Sequence, residues 1–284
     1  MQYIKAPMNY IGNKYRILQQ IQKWFPRKID LMVDIFCGGC DVTFNTKANE
    51  HIANDLNFFV IEIYKEFQQL GIEKAVEQID RTICNWKLTK ENKEAYEHFR
   101  AYYNRTKNPI DLYVLMCYSF NYQFRFNAAH EYNNPFGKSR SSFNNVMREN
   151  LRKLQGVIEQ VQYTSCDFRE FDYNLMKTND FLYADPPYLI TCGSYNDGKR
   201  GFKGWGEQDE KELYEILDML SERGIRFALS NVSHHKGERN DILLSWRKAR
   251  KYHMHKIKFD YNNCNYHTKN SRNTTQEVLI TNYK

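Results

Sequence analysis

Three short apolar runs, each ending abruptly in a glycine, an acid or a pair of prolines, constrain most what this 284-residue chain can fold into. Leu31-Met32-Val33-Asp34-Ile35-Phe36 breaks at Cys37-Gly38-Gly39, His51-Ile52-Ala53-Asn54 ends on Asp55, and Phe181-Leu182-Tyr183-Ala184 stops at Asp185-Pro186-Pro187-Tyr188. Runs of this kind read as buried parallel strands, covered on both faces and entering tight turns. The first two lie about 20 residues apart, the spacing of a nucleotide-binding βαβ start. There is no G-x-G-x-x-G and no Walker lysine, which excludes a pyrophosphate cradle of either kind. Further strands are expected at 161–165, 225–231, 252–259 and 277–281, the last two as an antiparallel hairpin at the sheet edge, with helices at 207–223 and 242–250.

Between residues 58 and 162 the texture changes to helical periodicity, at 61–70, 96–103 and 112–120. Aromatic and polar residues then alternate through Asn121-Tyr122-Gln123-Phe124-Arg125-Phe126-Asn127 and lead on to Pro135 and Lys138, which predicts a strand or hairpin with two different faces. The expectation is an α/β fold: a Rossmann-like sheet from residues 1–57 and 163–284, and an inserted, mainly helical domain over 58–162 that carries a β-hairpin.

The turn at 185–188 supplies chemistry as well as shape. Two prolines fix φ and lack N–H groups, so the loop is rigid and its carbonyl oxygens are free to accept hydrogen bonds. One carboxylate, one oriented carbonyl and one flat ring suit a planar base with an exocyclic amine. A plain tight turn at a strand end is the alternative reading. Glycines at 38 and 39 let the backbone approach something compact. Asp55 is placed to accept from two ribose hydroxyls, and a helix N-cap explains it equally well by itself.

Composition narrows the partners. Lys and Arg number 41 against 34 Asp and Glu, a net charge of +7, which fits a polyanion. The 21 Tyr and 18 Phe fit base stacking, although an aromatic core accounts for most of them. No run is long enough to span a membrane, and Met1-Gln2-Tyr3-Ile4-Lys5 is not a signal peptide, so the expected location is the cytoplasm. Seven cysteines form no paired framework. The lone C-x-x-C at Cys37 and Cys40 and the alternating His253 and His255 have no supporting ligands at metal spacing, so no metal is expected.

Taken in order, the glycine turn, the acid at 55, Cys166-Asp167-Phe168 and Asp185-Pro186-Pro187-Tyr188 resemble the Dam-type, α-group adenine-N6 DNA methyltransferases. The resemblance extends to Asn9-Tyr10-Ile11-Gly12-Asn13-Lys14 at the front, and to Ser230-Asn231 and residues 277–283 at the back. It implies a site-specific DNA methyltransferase, with S-adenosyl-L-methionine as methyl donor and adenine flipped from duplex DNA as acceptor. Asp185, Pro186, Pro187 and Tyr188 would be catalytic. The donor would be held by Tyr10, Gly12, Lys14, Asp34, Phe36, Cys37, Gly38, Gly39, Asp55, Asp167, Phe168 and Asp185. DNA would be met by Asn9, Phe120, Asn121, Gln123, Arg125, Asn127, Pro135 and Lys138, with Phe120 as an aromatic wedge and Arg125 reading guanine.

The resemblance further implies a bacterial or phage-encoded, nucleoid-associated protein, for which a cognate restriction endonuclease is a further candidate partner. Asn9 stands where relatives that read GATC often carry lysine, and Gln123 where they carry an apolar residue, so GATC is not the assumed target. Competing readings are an RNA or protein amine methyltransferase, which typically begins the Pro-Pro-Tyr loop with Asn, and a non-catalytic DNA-binding relative that kept the fold. Cys192 is incidental, and Lys199, Arg200 and Lys203 would meet the DNA backbone.

Overall fold

The computed structural model describes residues 3–194, 204–258 and 275–284. Among these residues eight strands form one sheet: β1 (Leu31–Asp34), β2 (Glu50–Asn54), β3 (Val161–Thr164), β4 (Phe181–Ala184), β5 (Arg226–His235), β6 (Glu238–Arg239), β7 (His253–Ile257) and β8 (Thr275–Thr281). The order is β3-β2-β1-β4-β5-β8-β7, with β6 paired to β5. Strands β1 to β5 run parallel, and β8 is antiparallel to both β5 and β7, so the expected hairpin lies at the edge.

The alternation of side chains along each strand sorts the core into two faces. Val33, Leu182, Phe227, Leu229 and Ile280 pack against Leu213, Leu217 and Leu220 of α7 (Glu207–Glu222) and Leu243 of α8 (Asp241–Arg250). Their neighbours Met32, Phe181, Tyr183, Ala228 and Leu279 pack the other way, against Leu18 and Ile21 of α1 (Leu18–Gln22). Strand β4 is buried at all four positions, so its apolar run has no solvent face.

Five helices separate β2 from β3: α2 (Phe58–Leu70), α3 (Ile72–Asn85), α4 (Lys93–Thr106), α5 (Pro109–Tyr118) and α6 (Asn145–Arg152). Helix α5 is the centre of this layer. Ile110 and every residue from Leu112 to Tyr118 are buried, as befits a helix apolar all round. Its start is marked by Asn108, whose side chain accepts from the Asp111 N–H at 3.1 Å, and by Pro109 in the first turn. Helix α3, which the sequence reading leaves out, buries Ile72, Ala75, Val76 and Ile79 on one stripe.

The regular strand expected at 121–127 is not formed. A single 3-10 turn, Phe120–Tyr122, is followed by isolated antiparallel bridges, Ser119 with Phe136 and Phe126 with Tyr132. Asn121 and Tyr122 both have φ of 55°, a left-handed step that a continuing strand cannot take. Scattered backbone bonds, such as Phe120 N–H to the Pro135 carbonyl and Asn133 N–H to the Arg125 carbonyl, hold the segment together with side chains. The buried Asn134 donates to the carbonyls of Phe120 at 3.0 Å and Gln123 at 2.9 Å, while its own carbonyl accepts from Tyr96 at 2.8 Å.

Gly137 closes this loop in a space with no room for a side chain. A Cβ there would lie 2.6 Å from the Ser119 carbonyl and 2.2 Å from Ser141 Oγ. Gly137→Ala is therefore expected to lower stability by about 1–3 kcal/mol. Urea unfolding measures it, and an unchanged midpoint would mean the loop relaxes around the methyl group.

Candidate functional site

The C-terminal ends of β2, β1 and β4 lie side by side, because Asp34 of β1 pairs in register with Ala53 on one side and Tyr183 on the other. Asp55, Asp34 and Asp185 thereby converge on one cavity of about 820 Å³. Such a crevice at strand ends is where ligands of open α/β sheets bind. Every catalytic and donor-binding residue named from the sequence lines it, as does Asn9.

At its centre the Lys14 ammonium meets Asp185 Oδ2 at 2.6 Å, with only 7% of the lysine side chain and 16% of the aspartate exposed. The same ammonium donates to the Gly12 carbonyl at 2.8 Å and lies 5.2 Å from the centre of the Tyr188 ring. The Tyr188 hydroxyl donates to Asp185 Oδ1 at 2.8 Å. Burial pushes the Asp185 carboxyl above the usual range, and the Lys14 charge and hydrogen bond and the Tyr188 hydrogen bond all act against it.

Asp55 holds the glycine turn. Its Oδ2 accepts from the Gly38 N–H and its Oδ1 from the Asn57 N–H, both at 2.8 Å, while α2 begins only after Asn57, so Asp55 is not the N-cap. Burial raises its carboxyl, opposed by those two N–H groups. Gly38 has φ of 47°, and a Cβ on it would sit 2.8 Å from the Tyr10 ring, which is why the turn needs glycine there.

Asp34 is fully buried. Its Oδ2 accepts from the Thr43 hydroxyl at 2.7 Å, and its Oδ1 has no hydrogen-bond partner among the described residues. Burial first, then the charges of Asp185 and Asp55, push its carboxyl up to about 7. The thiols of Cys37 and Cys40 are buried and pushed up by burial, so neither is an activated nucleophile.

The far end of the cavity is aromatic. Phe36, Phe168 and Trp205 form a triangle with ring centres 5.5–5.6 Å apart. Arg169 stacks over Phe168 at 4.4 Å and holds Asp167 through Nη1 at 2.9 Å, while its other nitrogens pair with Asp209 and Glu212. Behind Trp205, the buried Glu210 accepts from Trp205, Tyr214, Asn231 and Asn240, tying α7, β5 and the start of α8 together. Neither Trp205 nor Arg169 is expected at the site from the sequence. An arginine directly after the Asp167-Phe168 pair, and a tryptophan between two glycines in a polar loop, were the available signals.

Apart from Asn9, the residues expected to meet DNA are not among those lining this cavity. Phe120 is 46% exposed, large for an aromatic, and Asn121, Arg125, Pro135 and Lys138 are exposed while Gln123 is half-buried. Phe124 and Phe126 of the same segment line the cavity, and Phe126 stacks on Phe59 at 4.0 Å. The side chain of Asn127 closes its own turn, accepting from the N–H groups of Ala129 and Glu131 and donating to Glu131 Oε2. Asn9 links the cavity to this segment directly: its Nδ2 donates to the Asn121 carbonyl at 3.0 Å. Lys199, Arg200 and Lys203 lie outside the described residues.

The protonation of Asp34 has a measurable consequence. Between its ordinary value of 3.8 and about 7 the folded state holds a proton that the unfolded chain releases. This contribution to stability is present at low pH and is lost as pH rises through that window. Asp34→Asn removes it, so the variant should gain on the parent as pH rises, at up to about 1.4 kcal/mol per unit. Parallel stability curves for the two proteins would refute the assignment.

Comparison with known proteins bears on the whole chain. The sequence profile described as D12 class N6 adenine-specific DNA methyltransferase matches residues 10–272. Type II methyltransferase M.FokI of Planomicrobium okeanokoites is 47% identical over 283 residues, and modification methylase StsI of Streptococcus sanguinis 48% over 284. Both alignments cover 99% of this chain and 43% of the relative, so the chain spans less than half the length of either. The DNA adenine methylase of Escherichia coli K12 is 25% identical over 269 residues, covering 89% of this chain and 88% of that protein. Among the described residues no helix is long and apolar enough to cross a membrane.

Proposed function

Since the chain belongs to the D12 class of N6 adenine-specific DNA methyltransferases, we propose that it transfers a methyl group from S-adenosyl-L-methionine to the N6 amine of adenine in duplex DNA, as a Dam-type enzyme with a DPPY active-site turn. The observation that carries the proposal is the clustering of Asp185, bound through both oxygens, with Pro186 and Tyr188 in the same cavity as the glycine turn and Asp55.

The residues fit the donor. The fully buried Asp34 Oδ1, which has no hydrogen-bond partner among the described residues, suits a ligand that brings its own donors, and a cationic one would favour the ionised carboxyl. Asp55 would take the sugar hydroxyls, and the turn at Gly38 and Gly39 would admit the compact tail. Phe36, Phe168 and Trp205 would enclose the adenine ring, with Asp167 at its amine. Bound there, S-adenosyl-L-methionine would supply an electrophilic methyl group on a sulfonium.

An amine stacked inside a duplex cannot enter this cavity, so the adenine must leave the helix, at a cost of a few kcal/mol. Its two N–H groups would donate to the Asp185 carboxylate and the Pro186 carbonyl. Those bonds turn the nitrogen lone pair into the cavity and disperse the positive charge that develops on nitrogen. Tyr188, fixed by its bond to Asp185, would support the base with its ring. The amine is itself the nucleophile, so no covalent enzyme intermediate forms.

Residues 1–57 and 163–284 would form the catalytic unit and 58–162 the target-recognition unit. Exposed Phe120 would fill the gap left by the extruded base, and Arg125 would read guanine through its planar fork. By analogy with the modification methylases it resembles, the protein would protect DNA beside a cognate restriction endonuclease.

Two variants test the reading. Asp185→Ala should abolish transfer of labelled methyl groups to duplex DNA while titration calorimetry still detects the donor; full activity would defeat the assignment. Arg125→Ala should lose about 1–3 kcal/mol of discrimination at one base pair. Sequencing of methylated sites reads that loss, and an undiminished target preference would mean Arg125 is a backbone contact.

A further inference from the structure

From the arrangement around Asp185 we infer that Lys14 is a positioning residue for methyl transfer, acting through Asp185: its ammonium, braced on the Gly12 carbonyl, keeps that carboxylate ionised and turned toward the incoming amine. The inference rests on the proposed role of Asp185 and extends it.

Burial weighs against an ionised Asp185, and the cation beside it offsets that cost. Asp34 at the end of β1 and Asp55 after β2 open onto the same cavity, Tyr183 belongs to the same strand end, and Glu277 of β8 bears on both Tyr183 and Tyr188. His235 and Lys236 at the end of β5 line the cavity too, and neither forms an ion pair with Asp185. Lys14 alone among the described residues does, at 2.6 Å, with its aliphatic stem buried.

The protonation state decides what Asp185 can do. An ionised carboxylate accepts through both oxygens and has lone pairs to spare after binding Lys14 and Tyr188. A protonated one turns an O–H toward the site and meets an amine hydrogen with another donor. Burial favours the protonated form, and contact with Lys14 opposes it. The ammonium, held between the Gly12 carbonyl and Oδ2, also fixes the plane of the carboxylate from one side, as the Tyr188 hydroxyl does from the other.

Reaction requires the ionised form, so activity is present above the Asp185 midpoint and is lost as pH falls through it. Removing Lys14 raises the midpoint and moves that loss to higher pH. The test uses protein carrying 13C-carboxyl aspartate, without donor or DNA, with the Asp185 resonance assigned by its absence in Asp185→Asn. In Lys14→Met the midpoint should rise by about 1–3 pH units. Lys14→Arg should restore most of the parent value, and Tyr188→Phe should give a smaller rise.

Single-turnover methylation at saturating donor should show the same order, with the Lys14→Met deficit at about pH 6 roughly tenfold larger than at about pH 8.5. An Asp185 midpoint that does not move in Lys14→Met, or a deficit equal at both pH values, overturns the inference. Should Lys14→Met not fold, the midpoint in Tyr188→Phe and Lys14→Arg decides it: a rise in the first with the parent value kept in the second supports the role, and any other pair of values refutes it. A parent protein that methylates nothing defeats the functional proposal, whereas the titration of Asp185 still reports on its coupling to Lys14.

Discussion

Placing carboxylates at the ends of adjacent parallel strands is the constraint on which this site depends. The order β2-β1-β4 brings Asp55, Asp34 and Asp185 to one crevice whether or not the charges favour it. Each is stabilised differently. Asp55 takes two backbone N–H groups, Asp185 takes an ammonium and a phenol, and Asp34 takes a single hydroxyl and is pushed up to about 7. Similar carboxylates thus acquire distinct partners from their surroundings, which would let one cavity serve a hydroxyl-rich group, a cationic group and an amine.

The segment that would meet DNA is built on another principle. Residues 118–137 form an irregular antiparallel pair of arms, joined by scattered backbone bonds and by side chains that bond to backbone. Asn134 spans the carbonyls of Phe120 and Gln123, Tyr132 donates to the Gln123 carbonyl, and Pro135 accepts from the Phe120 N–H. Fixing backbone in this way leaves Phe120 and Arg125 uncommitted on the surface while Phe124 and Phe126 face inward. Loops held on a rigid scaffold are where binding residues concentrate, because their outer side chains change without disturbing the core.

How much was legible in the sequence follows from the range of each interaction. The strand ends, the glycine turn and the Asp185-Pro186-Pro187-Tyr188 turn are signalled by residues adjacent in the chain, and the cavity collects all of them. Helix α3 has a clear stripe at Ile72, Ala75, Val76 and Ile79, so its period is readable from the sequence alone. The clamp of Arg169 on Asp209 and the network around Glu210 were not readable, because their partners lie up to 40 residues away and meet only once the sheet has formed. The left-handed pair Asn121 and Tyr122 was hidden for a related reason: aromatic-polar alternation predicts extended backbone, and only the bond from Asn134 reveals the turn.

The loop of residues 9–14 shows how the two constructions meet. Asn9 bonds to the backbone of the recognition segment at Asn121, and five residues later Lys14 pairs with Asp185. Between them Tyr10 packs over the glycine turn at Gly38 and Gly39. One short stretch therefore touches the surface that would read DNA, the turn that would hold the donor, and the carboxylate that would hold the amine. Contact of this kind is fixed geometry rather than proof of energetic coupling. It nevertheless sets a limit on divergence: a change at 9 would cost one bond to the Asn121 carbonyl, whereas a change at 10 or 14 disturbs the glycine turn or leaves Asp185 without its counterion.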